Sequence, residues 1–75
     1  MEGRGTFVVE MSLEDETGAR CVDIRRLADG DFDWVECRRD PEDGHGWRYT
    51  GYGARGFDSV EAAQRDAEAN FKWLR

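Results

Sequence analysis

Basic residues are scarce in this chain. Eleven Lys and Arg stand against seventeen Asp and Glu, giving a net charge of −6 and a pI near 4.6. That shortage argues against direct binding to nucleic acid, which needs a basic face to displace counterions from phosphate. It also argues against a surface that adheres to anionic lipid. No apolar stretch approaches the roughly 18 residues of a membrane span. The N-terminus has no apolar segment of the kind found in a signal peptide. Two cysteines are too few for a disulfide scaffold. The expectation is a soluble, cytoplasmic module. The chain is 75 residues long, 39% hydrophobic, with nine aromatics (four Phe, three Trp and two Tyr), which suffices for one small core over residues 1–75.

Residues 1–5 read as a polar lead-in, 6–52 as a sheet and 58–74 as a helix. Phe7, Val9, Met11 and Leu13 alternate with their neighbours, the period of a half-buried strand. Glu14 to Gly18 is a turn, and Ala19 to Leu27 a second strand. Asp29-Gly30 suits the positive φ angles of a type I′ hairpin turn. Phe32 to Arg38 is a third strand, residues 39–46 a loop, and Trp47 to Tyr52 a fourth strand. Asp58 followed by Glu61 fits a capping box with Phe57 as a staple onto Ala62, and Ser59 is the alternative cap. Val60, Ala63, Ala67, Phe71 and Leu74 form one helical apolar stripe. The fold class predicted is α+β: a four-stranded antiparallel meander in order 1-2-3-4, with one C-terminal helix packed on one face.

Closing the second hairpin on Asp29-Gly30 places Val22 opposite Cys37 and Ile24 opposite Val35. A first loop over Asp15–Gly18 places Met11 opposite Val22 and Val9 opposite Ile24. The fourth strand then sets Trp47 against Cys37 and Tyr49 against Val35. This register buries Phe7, Val9, Met11, Val22, Ile24, Val35, Cys37, Trp47 and Tyr49 beneath the helix. It leaves Glu10, Asp23 and Glu36 as an acidic row on the open face, followed by Arg48. Leu27, Phe32, Trp34 and Tyr52 form an aromatic patch beside the row, with Arg25 opposite Trp34 for a cation–π contact. Like charges directly opposite one another are destabilising, although Arg20, Arg25 and Arg38 could neutralise the row diagonally. A bulge would instead turn Trp34 into the core.

Few motifs carry chemistry. Residues 51–56 match G-x-G-x-x-G, but the helix begins after the motif and no second parallel strand follows it. A bend from strand to helix is therefore expected, not a dinucleotide site. Asp40 to Gly46 lacks the alternating oxygens of a calcium loop. Cys21, Cys37 and His45 are the only soft metal ligands. The pleat proposed above points the two cysteines to opposite faces, which disfavours both a zinc site and a disulfide. No metal, cofactor or catalytic residue is predicted.

In a meander, the first and third connections emerge at the same end of the sheet. That end gathers Glu14, Asp15 and Glu16 with Asp40, Glu42 and Asp43. Such an edge approximates the phosphate spacing of duplex DNA, about one charge per 1.7 Å of axis, and suits a protein partner with a basic surface. Trp73 falls on the back of the helix beside Ala62, Asp66 and Ala69, where its indole would anchor another chain; alternatively it folds back over the sheet edge.

A tiny acidic chain that favours arginine over lysine, with a sheet followed by the helix start Phe57-Asp-Ser-Val-Glu-Ala-Ala63, resembles phage-encoded anti-CRISPR proteins. That resemblance implies a non-enzymatic inhibitor in the host cytoplasm, blocking DNA recognition by a CRISPR effector complex. The helix start also resembles short uncharacterised bacterial domains in which a Trp-x-Tyr strand, here Trp47-Arg-Tyr49, leads to the same kind of helix. The alternative function is therefore an interaction or assembly domain, a monomer or a homodimer through its open sheet face. A third reading uses Phe32, Trp34 and Tyr52 as stacking platforms for RNA, and the neighbouring acids count against it.

Overall fold

The alternating pattern of the first four segments builds one antiparallel sheet. The computed structural model describes residues 7–39 and 46–74, with strands β1 (Phe7–Glu14), β2 (Arg20–Leu27), β3 (Phe32–Arg38) and β4 (Arg48–Phe57) in spatial order β1-β2-β3-β4. A single helix, α1 (Val60–Asn70), follows, and a 3₁₀ turn over Lys72–Leu74 ends the described chain. The α+β meander expected from the pattern is the fold observed. Among the described residues, no helix is long and apolar enough to cross a membrane.

The register differs, for a definable reason. Two backbone bonds close the second hairpin: the Leu27 N–H to the Asp31 carbonyl at 2.8 Å and the Gly30 N–H to the Leu27 carbonyl at 3.0 Å. The loop is therefore Ala28-Asp29-Gly30, three residues long rather than two. A type I′ turn would need positive φ at Asp29 as well. Among the described residues only glycines adopt it, Gly30 at 92° included. This is the alternative hairpin in which a type I turn is completed by a left-handed glycine. The Asp29 carboxylate accepts the Asp31 N–H at 3.0 Å and reinforces it.

One extra loop residue turns β3 over relative to β2. Ile24 now faces Trp34 and Val22 faces Glu36, while Cys21 faces Cys37, Asp23 faces Val35 and Arg25 faces Asp33. In β1 the pairing runs Leu13 to Val22 and Met11 to Ile24, then shifts between Met11 and Val9. Glu10 is the extra residue of that bulge. Phe7 and Val9 consequently pair with Leu27 and Arg25 on the opposite face from Met11. The set expected beneath the helix is thus corrected: Met11, Val22 and Ile24 stay, whereas Phe7, Val9, Val35, Cys37, Trp47 and Tyr49 belong to the other face.

β4 is longer than expected, and its glycine-rich stretch is strand rather than a bend. It meets β3 at Cys37–Tyr49 and again at Val35–Gly53, with irregularities between these pairs and near Phe32. Gly53 permits the close approach, because a Cβ there would lie 2.4 Å from the Trp34 carbonyl oxygen.

The helix is capped by Ser59, the alternative cap, rather than by Asp58. The Ser59 hydroxyl accepts the Ala62 N–H at 3.0 Å, satisfying one of the free donors of the first turn, and Glu61 adds favourable charge there. The stripe lands as its spacing implied. Ala63, Ala67 and Phe71 are buried against Val22, Ile24 and Trp34, with Val60 and Leu74 packed at the margins. Two alanines at the centre let the helix backbone sit close over the indole of Trp34, which is 1% exposed. Its Nε1–H donates to the Asp66 carboxylate at 2.8 Å, so the polar end of the ring is satisfied. Phe71 and Tyr52 both meet Trp34 edge-on, with ring centroids 5.5 Å away.

Candidate functional site

The sheet face away from α1 has no element packed on it among the described residues. At its centre β2 and β3 place Cys21 directly opposite Cys37, and Asp23 lies two residues along on the same face. This corrects the expectation that the cysteines point to opposite faces. Both are free and buried.

Asp23 is only 9% exposed and carries a dense set of donors. Its Oδ1 accepts from the Ser12 hydroxyl at 2.6 Å and from the Cys21 thiol at 3.3 Å. Its Oδ2 accepts from the Tyr49 hydroxyl at 3.0 Å. β1, β2 and β4 each contribute a donor, which is why the side chain holds one position. The donors are neutral, and among the described residues no ion pair to the carboxylate forms. Burial pushes the Cys21 thiol up to about 11, with the hydrogen bond and charge of Asp23 adding to it. Burial, followed by the charge of Asp23, also pushes Cys37 well above the usual thiol range. Tyr49 is raised by burial and then by its bond to Asp23. The two thiols and the Tyr49 hydroxyl therefore keep their protons at neutral pH.

Around this centre the face is half apolar and open. A cleft of about 250 Å³ runs over Ser12, Glu14, Cys21, Asp23, Cys37, Trp47 and Tyr49. Tyr49 is 48% exposed and Trp47 37% exposed. Arg25 grips Asp33 through two bonds, Nε at 3.0 Å and Nη2 at 2.7 Å, and its guanidinium lies 4.3 Å from the centroid of the Phe7 ring and 5.2 Å from that of Tyr49. The bonds from Asp33 hold Arg25 above its ordinary pKa despite its partial burial. Arg39 stacks 4.8 Å from the centroid of Trp47 while donating to the Gly18 carbonyl at 2.7 Å, which fastens the end of β3 to the first turn.

The expected acidic row does not form. Glu10 sits in the bulge and pairs with Arg26 at 2.8 Å. Asp23 belongs to the buried cluster. Glu36 lies on the helix side, opposite Val22, buried and held by Arg20, Arg38 and the Thr50 hydroxyl. The aromatic patch is corrected with it. Trp34 is in the core, Phe32 packs against that core, and Tyr52 lies on the helix side with its hydroxyl donating to Asn70 at 3.0 Å. Arg25 faces Asp33 rather than Trp34. Trp73 does not anchor a groove behind the helix. The α-helix ends at Asn70, so the 3₁₀ turn returns the indole to Phe71, 5.6 Å between centroids, beneath the Arg20 guanidinium at 5.2 Å.

At the acidic end the first turn is described and the third connection is not. Asp15 is committed to the turn. Its carboxylate accepts from the Thr17 hydroxyl at 2.9 Å and the Arg20 N–H at 3.3 Å. Glu14 and Glu16 are exposed, and neither makes an ion pair with a described residue. Asp40, Glu42 and Asp43 lie outside the described residues.

The residues that the sequence reading missed are Ser12, Cys21, Cys37 and Tyr49. A three-residue closure at Ala28-Asp29-Gly30 was the signal that would have placed the cysteines together. No protein-family model matches the chain, and no curated protein or solved structure matches it either.

Proposed function

We propose that the protein is a non-catalytic binding module whose uncovered sheet face and acidic first turn hold a protein partner with a basic surface. The observation that carries this reading is the distribution of charge. Five arginines (Arg20, Arg25, Arg26, Arg38 and Arg55) are consumed in ion pairs with Glu36, Asp33, Glu10 and Asp29. Five of the eleven basic residues are thus engaged by carboxylates within the molecule, while Glu14 and Glu16 at the first turn make no ion pair with a described residue. Glu14 lies on the rim of the cleft, beside the exposed rings of Trp47 and Tyr49. An apolar patch bordered by exposed acid is complementary to a basic groove with apolar walls. The chemistry is that of a nucleic-acid-handling protein. The resemblance of the chain to anti-CRISPR proteins narrows the class to a CRISPR effector complex, in competition with its DNA. Binding rather than catalysis is supported by the thiols, whose raised pKa leaves them protonated and poorly nucleophilic.

The test is competition between this chain and duplex target DNA for purified CRISPR effector complexes. The chain is expected to displace DNA, with an affinity that falls steeply as salt rises. Replacing Glu14, Glu16, Asp40, Glu42 and Asp43 with amides while keeping Asp15 preserves the turn and should weaken binding. Unchanged affinity in that variant contradicts the reading. The exposed apolar rings on one face favour a second reading, a homodimer through the sheet. Salt separates the two. Copies that each carry −6 associate more tightly as salt rises, whereas a basic partner lets go.

A further inference from the structure

We infer that Cys21, Cys37 and Asp23 form a binding site for a thiophilic divalent cation of the zinc class. The two sulfurs and a carboxylate oxygen of Asp23 all lie within 4.8 Å of one another. They come from two adjacent strands locked in register, Cys21 and Asp23 on β2 and Cys37 on β3, so little backbone movement is needed to close them on one ion. Two cysteines and one carboxylate make a donor set that zinc accepts, and the sulfur content disfavours magnesium and calcium.

The second observation is the state of Asp23. A carboxylate at 9% exposure ordinarily has a cationic partner, because an uncompensated buried charge is costly. Here Arg25, the nearest cation along the strand, is engaged with both oxygens of Asp33. Among the described residues Asp23 is left with three neutral donors, one of them the Cys21 thiol. A divalent ion supplies the missing positive charge. Ser12 and Tyr49 then act as positioning residues, keeping the carboxylate oriented while the ion takes the place of the thiol hydrogen. On binding, two metal–sulfur bonds and one metal–oxygen bond form, and the two thiol protons pass to solvent. No electrons are transferred. The cleft above the cluster leaves a fourth coordination position facing water, the arrangement of an open zinc site.

The experiment uses the full chain, kept reduced with a phosphine, stripped with a chelator and titrated with Co²⁺ and then Zn²⁺. The expected result is one ion per chain, with a near-ultraviolet thiolate-to-cobalt charge-transfer band that Zn²⁺ abolishes. Zn²⁺ should also shield both cysteines from alkylation. Cys37→Ser should lower Zn²⁺ affinity by more than about 100-fold, and Tyr49→Phe, which removes one donor to the carboxylate and leaves the ring in place, by about 10-fold. Asp23→Asn should retain the sulfur band with weakened binding. A cobalt complex without the sulfur band, or Zn²⁺ binding that leaves both thiols open to alkylation, overturns the site. Unaltered affinity in Asp23→Asn overturns the role of the carboxylate. The alkylation readout on the unmodified chain decides the matter even where a cysteine variant fails to fold.

Discussion

Under α1 the sheet is sealed by carbon: Val22, Ile24 and Trp34 meet Ala63, Ala67 and Phe71 with almost no exposed surface. On the opposite face the centre is polar, a carboxylate that accepts from the Cys21 thiol and the Tyr49 hydroxyl with the Cys37 thiol alongside, and the margins are exposed rings. The same four strands build both. The difference teaches how a domain of 75 residues divides its work. A chain this short can fill one core, so stability is concentrated on one side and the other is left open.

The comparison breaks first at Trp34. Trp34→Ala should remove about 3–5 kcal/mol, as deletion of a fully buried ring does. A domain of this length has a total stability of roughly 4–11 kcal/mol, so denaturant unfolding should show a marginal or unfolded protein. Gly53→Ala comes next, because the added methyl would strike the Trp34 carbonyl. The crowding should destabilise by about 1–3 kcal/mol, measured by thermal melting. Removing the helix cap with Ser59→Ala should lower stability by about 1 kcal/mol, since the Ala62 N–H loses its acceptor. At the small end, Trp47→Ala on the open face should change stability by no more than about 0.5 kcal/mol. If it proves as harmful as Trp34→Ala, the two faces are not distinct in the way described.

Acid sharpens the same division. Desolvation raises the Asp15 carboxyl, but the hydrogen bonds from the Thr17 hydroxyl and the Arg20 N–H, with the N–H groups of Gly18 and Ala19 close by, outweigh it and hold the carboxyl below the usual carboxylate range. A depressed carboxylate stabilises the folded state fully above its unfolded pKa of about 4 and loses that contribution as pH falls through the folded value. Amide exchange in the first hairpin should therefore speed up below about pH 4, and Asp15→Asn should remove that pH dependence.

Strand order and the helical stripe were legible in the sequence because their signals are local: a period of two over Phe7–Leu13, and one near 3.6 over Val60–Leu74. The facing of β3 was not, because it hangs on one residue of turn length. Asp29-Gly30 satisfies both a two-residue turn and a three-residue turn ending in a left-handed glycine, and only the second leaves Asp29 with negative φ. That single choice moved Trp34 from surface to core and brought Cys21 to Cys37. The bulge at Glu10 was equally silent, since the alternation of Phe7, Val9, Met11 and Leu13 runs through it unbroken. Asp66, the partner of the Trp34 indole, lies 32 residues away in sequence, and no local pattern links the two.

The division of the sheet into a sealed face and an open one is tested most directly by tryptophan accessibility. In a chain carrying Trp47→Phe and Trp73→Phe, fluorescence comes from Trp34 alone and should be blue-shifted and resistant to acrylamide. With Trp34→Phe and Trp73→Phe, emission comes from Trp47 and should be quenched readily. A Trp34 quenched as easily as Trp47 in the folded protein would place it on the open face and contradict the register on which both sites rest.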